Sequence, residues 1–246
     1  MWRQTHQSES PRGLILGVTP ELYNDLPWPD LTKVRAIDRT PEMVNYIWPG
    51  PADAAAQSDW REMPWADSSF DLALCDGGIH LLPFPDGQAA MVQQLARVIS
   101  PGGIFTARLF LPPKTAETPD AVLRALLDGN IPNLNCLKLR LGMALQKSAE
   151  EGVALNLVWQ TLRSVSEDWS ELASQLGWSL DHLSAIDTYR DSAARYHFST
   201  ANQIKSLFCE GSGAFEVLRE DTGSYEMSTQ CPTVIFRRTD SERCPR

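Results

Sequence analysis

Residues 13–17, with the sequence GLILG, form a short apolar run that ends in a glycine. A run of this length, without alternating polar positions, is typical of a strand buried on both faces of a sheet. Gly17 is suited to the sharp turn at which such a strand passes into a helix. We therefore predict a buried strand here, followed by a helix.

Further strands follow along the chain. Residues 33–37 form a second apolar run that ends at Asp38, and residues 40–42, TPE, then supply a hydroxyl N-cap and a proline at the first helical position. Residues 70–75, FDLALC, predict another strand, and a weaker strand signal lies just before Asp59. The chain therefore alternates between strand and helix signals.

The alternation continues to about residue 110. Met91, Leu95 and Val98 recur at helical spacing after Asp86, which we expect to cap the helix, and residues 101–103, PGG, stop it. Residues 104–110 resume as a strand. Such an alternating order predicts a parallel sheet with helices on its faces.

Helical patterns replace strands from about residue 113 to residue 198. We expect helices over residues 118–129, 134–145, 153–165, 166–177 (capped by Ser166) and from 179 toward 189, and no strand. Thr200 and Gln203 then form a capping box, and residues 215–218 and 233–237 resemble a closing antiparallel pair. We predict one α/β domain over residues 1–112 and 199–246, with residues 113–198 as a helical cap insertion.

The amino-acid composition limits the kinds of partner that we expect the chain to bind. The 246 residues carry a formal net charge of −9, which disfavours a surface that follows nucleic-acid phosphates. The chain has no apolar run near the ~20 residues needed to span a bilayer, and residues 1–11 lack the apolar stretch of a signal peptide. Five dispersed cysteines show no zinc-ligand spacing. We expect a soluble cytoplasmic protein with no metal and no nucleic-acid or membrane partner.

Gly17 and Asp38 have the spacing of a nucleotide site. Asp38 ends the second strand 21 residues after the glycine turn, where a carboxylate accepts hydrogen bonds from ribose hydroxyls. Taken alone, these two residues are weak evidence for a nucleotide site, since many buried strands end in glycine and many strand ends carry aspartate.

An ordered series of motifs adds to that pair: residues 59–60 (DW), 63–65 (MPW), 69–77 (SFDLALCDG) and 95–103 (LARVISPGG). Over residues 13–110, with weaker support from 200–238, the series resembles the class I S-adenosylmethionine-dependent methyltransferases. The resemblance implies a Rossmann-like, seven-stranded, mostly parallel sheet with helices on both faces and the cap inserted after strand five. It also implies S-adenosyl-L-methionine as cofactor and methyl transfer to a small-molecule acceptor, which an enclosing cap suits better than a polymer.

The resemblance also assigns roles to particular residues. Asp38 would hold the ribose, Asp59 the adenine, and Trp60 would pack on the purine face, although a tryptophan of the core fits the same sequence. The full set implied to bind the cofactor is Gly17, Val18, Thr19, Asp38, Arg39, Met43, Asp59, Trp60, Asp76 and Gly77.

The first loop departs from the family pattern of one acidic residue and three glycines. Only Gly17 is retained, because Ile15 replaces the acid while Thr19 and Glu21 replace glycines. Two interpretations of Glu21 remain open: a substitute carboxylate in the site, or a residue in the first turn of the next helix. Proline at position 20 has no N–H, so we expect the N–H groups of Val18 and Thr19 to face the ligand.

His80 and Arg108 are the remaining candidates for chemistry. His80 follows the fourth strand and is a candidate general base, or alternatively a packing residue. Arg108 lies within the fifth strand and needs either an acidic partner or an anionic substrate. Two other functions also remain open: a non-catalytic protein that binds S-adenosylmethionine or a nucleotide on the same fold, and an NAD-dependent oxidoreductase.

Overall fold

The computed structural model describes residues 10–239, and its centre is a seven-stranded sheet in the order β3-β2-β1-β4-β5-β9-β8. The strands are β1 Gly13–Leu16, β2 Val34–Asp38, β3 Ala55–Gln57, β4 Phe70–Asp76, β5 Ile99–Arg108, β8 Phe215–Asp221 and β9 Thr233–Arg238. The first five strands run parallel, and β9 pairs antiparallel with both β5 and β8. The predicted Rossmann-like sheet is confirmed, including the closing antiparallel pair.

Eight α-helices connect and cover the strands within the described part of the chain. They are α1 Pro20–Asn24, α2 Asp86–Val98, α3 Pro119–Leu127, α4 Leu134–Leu145, α5 Leu155–Arg163, α6 Trp169–Leu176, α7 Leu180–Ser184 and α8 Ala201–Lys205. Residues 43–47 and 206–211 form wider π-helical turns. Thr118 caps α3, and Thr200 with Gln203 forms the capping box of α8, as the sequence predicts.

Both faces of the sheet are covered by apolar side chains. Leu14 and Leu16 belong to one buried cluster together with α2 and β9, whereas Ile15 belongs to a second cluster with Tyr23 and Trp48. Successive side chains of a strand point to opposite faces, so the two clusters lie on opposite sides of β1. This two-sided burial explains why residues 13–16 are apolar throughout.

Residues 113–198 form a third apolar cluster, built from α3 to α7 and centred on residues such as Leu126, Leu141 and Leu162. The expectation that this segment contains no strand is wrong in one detail. Val153–Ala154 (β6) pairs antiparallel with Arg195–Tyr196 (β7). Two residues per strand are too few to leave the alternating pattern by which strands are recognised.

Two predicted helix caps are also wrong. Asp168, not Ser166, caps α6, because its Oδ1 accepts hydrogen bonds from Ser170 N at 2.7 Å and Glu171 N at 3.3 Å. Ser166 instead lies in the turn before α6, where its Oγ donates to Asp168 O and accepts from Asp168 N. Asp86 lies in the first turn of α2 and Pro85 is the cap residue. A carboxylate in the first turn still interacts favourably with the helix dipole.

No helix within residues 10–239 is long and apolar enough to cross a membrane. The four cysteines in this range are free thiols. Cys75 lies in the sheet core, where burial raises the pKa of its thiol to about 12, as suits a packing residue.

Candidate active site

The carboxyl ends of β1 and β2 are joined by hydrogen bonds around Asp38. Gly17 has φ +84° and donates its N–H to Ile37 O at 2.8 Å. Asp38 Oδ2 accepts from Val18 N at 3.1 Å, and Asp38 Oδ1 accepts from Thr40 N at 2.8 Å. The carboxylate therefore links the first loop to the turn after β2.

Asp38 still has hydrogen-bonding capacity. A carboxylate offers about four lone-pair sites, and the two backbone N–H groups occupy two of them. The remaining two match the two hydroxyl groups of a ribose diol.

The first loop differs in part from its predicted geometry. Pro20 takes the first helical position of α1 and Thr19 is its N-cap residue, as expected, but the N–H of Val18 is already bonded to Asp38. Within residues 10–239 the N–H of Thr19 has no recorded hydrogen bond, which leaves it as the available donor of this loop. Glu21 lies exposed in the first turn of α1, as in the second of the two interpretations.

Asp59 is held by its neighbour Arg61. The Arg61 Nη2 lies 2.7 Å from Asp59 Oδ2, while Arg61 Nε and N lie 2.8 and 2.9 Å from Oδ1. These hydrogen bonds, opposed by partial burial, keep the pKa of the Asp59 carboxyl below its usual value, and the charge of Arg39 adds to the effect. With three lone-pair sites occupied, about one remains for a further donor.

Trp60 fills the space between the first and fourth strand ends. Its Nε1 donates to Ile37 O at 3.1 Å, and its Cζ2 would lie 3.5 Å from a Cβ at position 17. A Cβ at position 78 would collide with Cη2 of the same ring. Glycine at position 78 is therefore what lets the buried indole pack against this turn.

These residues line a cleft that we call the Asp38 cleft. It has a volume of about 160 Å³ and is lined by Asp38, Arg39, Thr40, Asp59, Trp60, Leu81 and Leu82. Of the predicted cofactor residues it therefore brings together Asp38, Arg39, Asp59 and Trp60. Met43 instead packs against the apolar cluster around Ile15.

The carboxyl ends of β4 and β5 are joined by an ion pair. Arg108 Nε lies 2.5 Å from Asp76 Oδ1, and Nη2 lies 3.0 Å from Oδ2. The partner that Arg108 requires is thus Asp76, and this carboxylate is engaged by a cation. Gly77 has φ +68°, and a Cβ there would lie 2.5 Å from the Phe110 ring, so glycine is required by backbone and packing alike.

A larger space, which we call the cap cavity, lies beyond these strand ends. It has a volume of about 500 Å³, and its walls come from the strand ends, from α4 and from the β8–β9 loop. The walls include Gly77, His80, Leu81, Arg108, Phe110, Lys138, Tyr189, Tyr196, Tyr225 and Glu226. Leu81 also lines the Asp38 cleft, so the two spaces adjoin at this side chain.

His80 lies among aromatic rings. It stacks on Phe198 with centroids 5.3 Å apart and meets Tyr196 edge-on at 4.5 Å and Phe110 at 5.0 Å. Burial lowers the pKa of its imidazole to about 3, so the ring is neutral at pH 7 and a weak proton acceptor. No recorded hydrogen bond within residues 10–239 involves its ring nitrogens.

A buried amide joins the His80 segment to the cap. Gln88 is fully buried, and its Nε2 donates to Leu82 O and to His197 O, both at 3.2 Å. Its Oε1 accepts from Ser199 Oγ at 2.9 Å, and His197 N donates to His80 O at 2.8 Å. The cap is thereby fixed against the strand ends.

Sequence reasoning misses several residues of these walls. Leu81 and Leu82 lie in a turn with no motif, Thr40 is predicted only as a helix cap, and Tyr196 lies in the unpredicted β7. Lys138 carries no distinct signal either, because residues 137–141 of α4 alternate between leucine and a basic residue, and Arg140 stands in the same pattern.

We compared the chain with models of known protein families and with known proteins. Residues 17–107 match the family model described as a methyltransferase domain. No curated protein matches the chain significantly.

Solved structures share the fold over nearly the whole chain. An S-adenosylmethionine-dependent methyltransferase from Methanosarcina mazei aligns with TM-score 0.53 and 15% identity over 96% of this chain and 96% of its own. The N-methyltransferase NodS from Bradyrhizobium japonicum, in complex with S-adenosyl-L-homocysteine, aligns with TM-score 0.50 and 11% identity over 97% and 83%. A candidate zinc-dependent alcohol dehydrogenase from Rhodobacter sphaeroides aligns with TM-score 0.60 and 12% identity over 94% and 85%. At such identities the likeness shows the fold alone.

Proposed function

We propose that the chain is a class I S-adenosylmethionine-dependent methyltransferase, which binds S-adenosylmethionine in the Asp38 cleft and methylates a small molecule held in the cap cavity; the match of residues 17–107 to a methyltransferase domain supports this. The observation that carries this proposal is the shared wall at Leu81. Movement of this one side chain would bring a methyl donor in the cleft and an acceptor in the cavity to the separation of about 3–3.5 Å that direct transfer requires.

The residues of the Asp38 cleft fit the adenosyl half of this cofactor. Two lone-pair sites of Asp38 suit the ribose diol, and the remaining site of Asp59 suits an exocyclic amino group. The indole of Trp60 offers an aromatic face for a purine. The Thr19 N–H is the donor left for the methionine half, whose other family ligands this loop lacks.

Opening of the cleft accompanies binding in this proposal. Its volume of about 160 Å³ is below the range of about 300–1,000 Å³ that is usual for ligand pockets. Leu81 is 39% exposed and lies on a short 3₁₀ turn, so it is the side chain whose movement would join the two spaces.

When bound, S-adenosylmethionine supplies a methyl group already activated by the positive charge on sulfur. The protein then contributes mainly position and exclusion of water, which can account for about 7–11 kcal/mol of a barrier. We propose His80 as the proton acceptor only for a substrate that loses its proton readily, because a pKa of about 3 makes the neutral imidazole a weak base; within residues 10–239 no hydrogen bond engages its ring nitrogens. We further propose that the protein works in the cytoplasm, where its free thiols remain reduced.

The test is a comparison of melting temperatures with S-adenosylmethionine, S-adenosylhomocysteine, NAD and NADP. A ligand that binds only the native state raises the melting temperature, by an amount that grows with its concentration over Kd. We expect shifts with the first two ligands only. Shifts with NAD or NADP alone would instead favour an oxidoreductase, and binding without transfer to a broad panel of acceptors would favour a non-catalytic binding protein.

A further inference from the structure

The cap cavity carries charges that point to one class of acceptor. We propose that the acceptor is a small, flat, aromatic molecule with an anionic group, and that this group pairs with the ammonium of Lys138. The proposal rests on the function proposed above, because it takes the cap cavity as the acceptor site.

Lys138 is the cation of this cavity that lacks a counter-ion. Arg108 is neutralised by Asp76 in a two-point ion pair. Within residues 10–239 no carboxylate forms an ion pair with the Lys138 ammonium, which lies 5.7 Å over the ring of Tyr189. An anion entering the cavity therefore finds one cation not already engaged.

Glu226 is the acidic residue that lines the same cavity, and it also lines the neighbouring cavity that contains Arg140. The pKa of Arg140 is raised by its hydrogen bonds to Glu117 and, to a smaller extent, by Glu226. The pKa of Lys138, in contrast, is lowered, with burial as the cause. Within residues 10–239 Glu226 forms no ion pair with Lys138, so it does not neutralise the ammonium.

Burial makes this ammonium costly without a partner. Lys138 is only partly exposed and lies between Leu137 and Leu139 on α4. A partly desolvated charge loses hydration that a single cation–π contact restores only in part, since such contacts contribute about 0.5–2 kcal/mol. A bound anion would supply the missing partner in a charge-assisted hydrogen bond.

The walls determine the shape of the rest of the molecule. Phe110, Tyr189, Tyr196 and Tyr225 surround the space, and the Tyr189 and Tyr196 hydroxyls are engaged with one another at 2.9 Å. Flat rings pack favourably between aromatic side chains. A volume of about 500 Å³ is within the usual range for small-molecule sites.

The experiment measures the affinities of three probes of one shape and different charge: 4-hydroxybenzoate, 4-hydroxybenzamide and 4-hydroxybenzylamine. Titration calorimetry is carried out on the full chain with and without S-adenosylhomocysteine. We expect the carboxylate to bind at least tenfold more tightly than the amide, and the amine to bind most weakly. In Lys138→Met this preference should fall to less than threefold, while Lys138→Arg should retain most of it.

Lys147→Met is the matched control, because the Lys147 side chain is 80% exposed and pairs with Glu151 on the surface. It should leave the carboxylate preference unchanged. Equal affinity for the three probes, a preference that survives in Lys138→Met, or no binding of the carboxylate at tens of millimolar would each overturn the proposal. Affinity for S-adenosylhomocysteine is measured separately in every variant, so failure of the cofactor site is distinguished from failure of the anion site.

Discussion

Asp38 combines two tasks that its position in the sequence suggests only in part. An acidic residue after the second strand predicts a ribose ligand, but the bonds to the N–H groups of Val18 and Thr40 depend on how two loops meet in space. The same carboxylate thus shapes the first loop and offers lone pairs to a ligand. Removing it altogether would confound the two tasks.

Asp38→Asn is the milder change, because an amide keeps nearly the same shape and one acceptor oxygen, so that only one of the two loop N–H groups loses its acceptor. We expect affinity for S-adenosylhomocysteine to fall more than tenfold, since hydrogen bonds to a charged group contribute about 1.5–3 kcal/mol. Calorimetry measures the affinity, and thermal unfolding checks the fold. Asp53→Asn, at an exposed aspartate outside the cleft, is the control. Wild-type affinity in Asp38→Asn would remove this residue from the site.

Thr19 tests the available donor in the first loop. Its hydroxyl makes no capping hydrogen bond, and its backbone is extended with φ −122°, which glycine also adopts. If the backbone N–H alone serves the ligand, Thr19→Gly should change the affinity for S-adenosylhomocysteine by less than tenfold, or about 1.4 kcal/mol. Calorimetry again measures it. A larger loss would mean that the threonine side chain itself contacts the cofactor.

At the scale of elements, the order of strands and helices is readable from the sequence because burial on both faces leaves uninterrupted apolar runs. Residues 13–16 are such a run, and residues 70–75 are one apart from Asp71; the predicted ends of both strands lie within one residue of those of β1 and β4. β6 and β7 were not predictable, since their pairing depends on contacts between residues about 40 positions apart. The residues that line the cap cavity were not predictable from the sequence for the same reason.

Among the contacts between elements, those of the Gln88 side chain have the clearest expected effect on stability. It lies on α2, and its amide joins Leu82 O of the strand-four loop to His197 O and Ser199 Oγ of the segment after β7. An amide bonded at both ends in a fully buried position fixes the distance between sheet and cap. The sequence offers no sign of this role, because Gln88 is one polar residue of an amphipathic helix.

Gln88→Ala should destabilise the protein by about 1–3 kcal/mol, because two buried carbonyl groups and one hydroxyl lose their partner. Urea unfolding measures the change. Gln93→Ala, on the exposed side of the same helix, should change the free energy of unfolding by no more than about 0.5 kcal/mol. Equal effects of the two substitutions would show that the buried amide contributes nothing beyond helix propensity.

At the scale of the whole molecule, charged side chains join the amino ends of the strands, opposite the proposed site. Asp71, at the start of β4, accepts from Arg12 N and Nε, both at 3.0 Å, and from Arg12 Nη2 at 2.7 Å. Ser100 Oγ, on β5, lies 3.2 Å from its Oδ1. Three segments distant in sequence therefore meet at one carboxylate.

This cluster predicts how stability depends on pH. Partial burial raises the pKa of Asp71, but the hydrogen bonds from Arg12 outweigh it and hold the pKa below its usual value. The unfolded chain, with an aspartate pKa near 3.9, then binds the proton more readily, so the contribution of Asp71 is complete above about pH 4 and is lost as pH falls through the lower folded-state pKa. Asp71→Asn should therefore cost about 1–2 kcal/mol at pH 7, and the difference from wild type should shrink below pH 4. Urea unfolding at pH 7, 5, 4 and 3 measures it, with Asp67→Asn as control, because that side chain is 79% exposed and meets Arg97 at 3.3 Å. A difference that stays constant down to pH 3 would mean that packing, not the charge of Asp71, holds these three segments together.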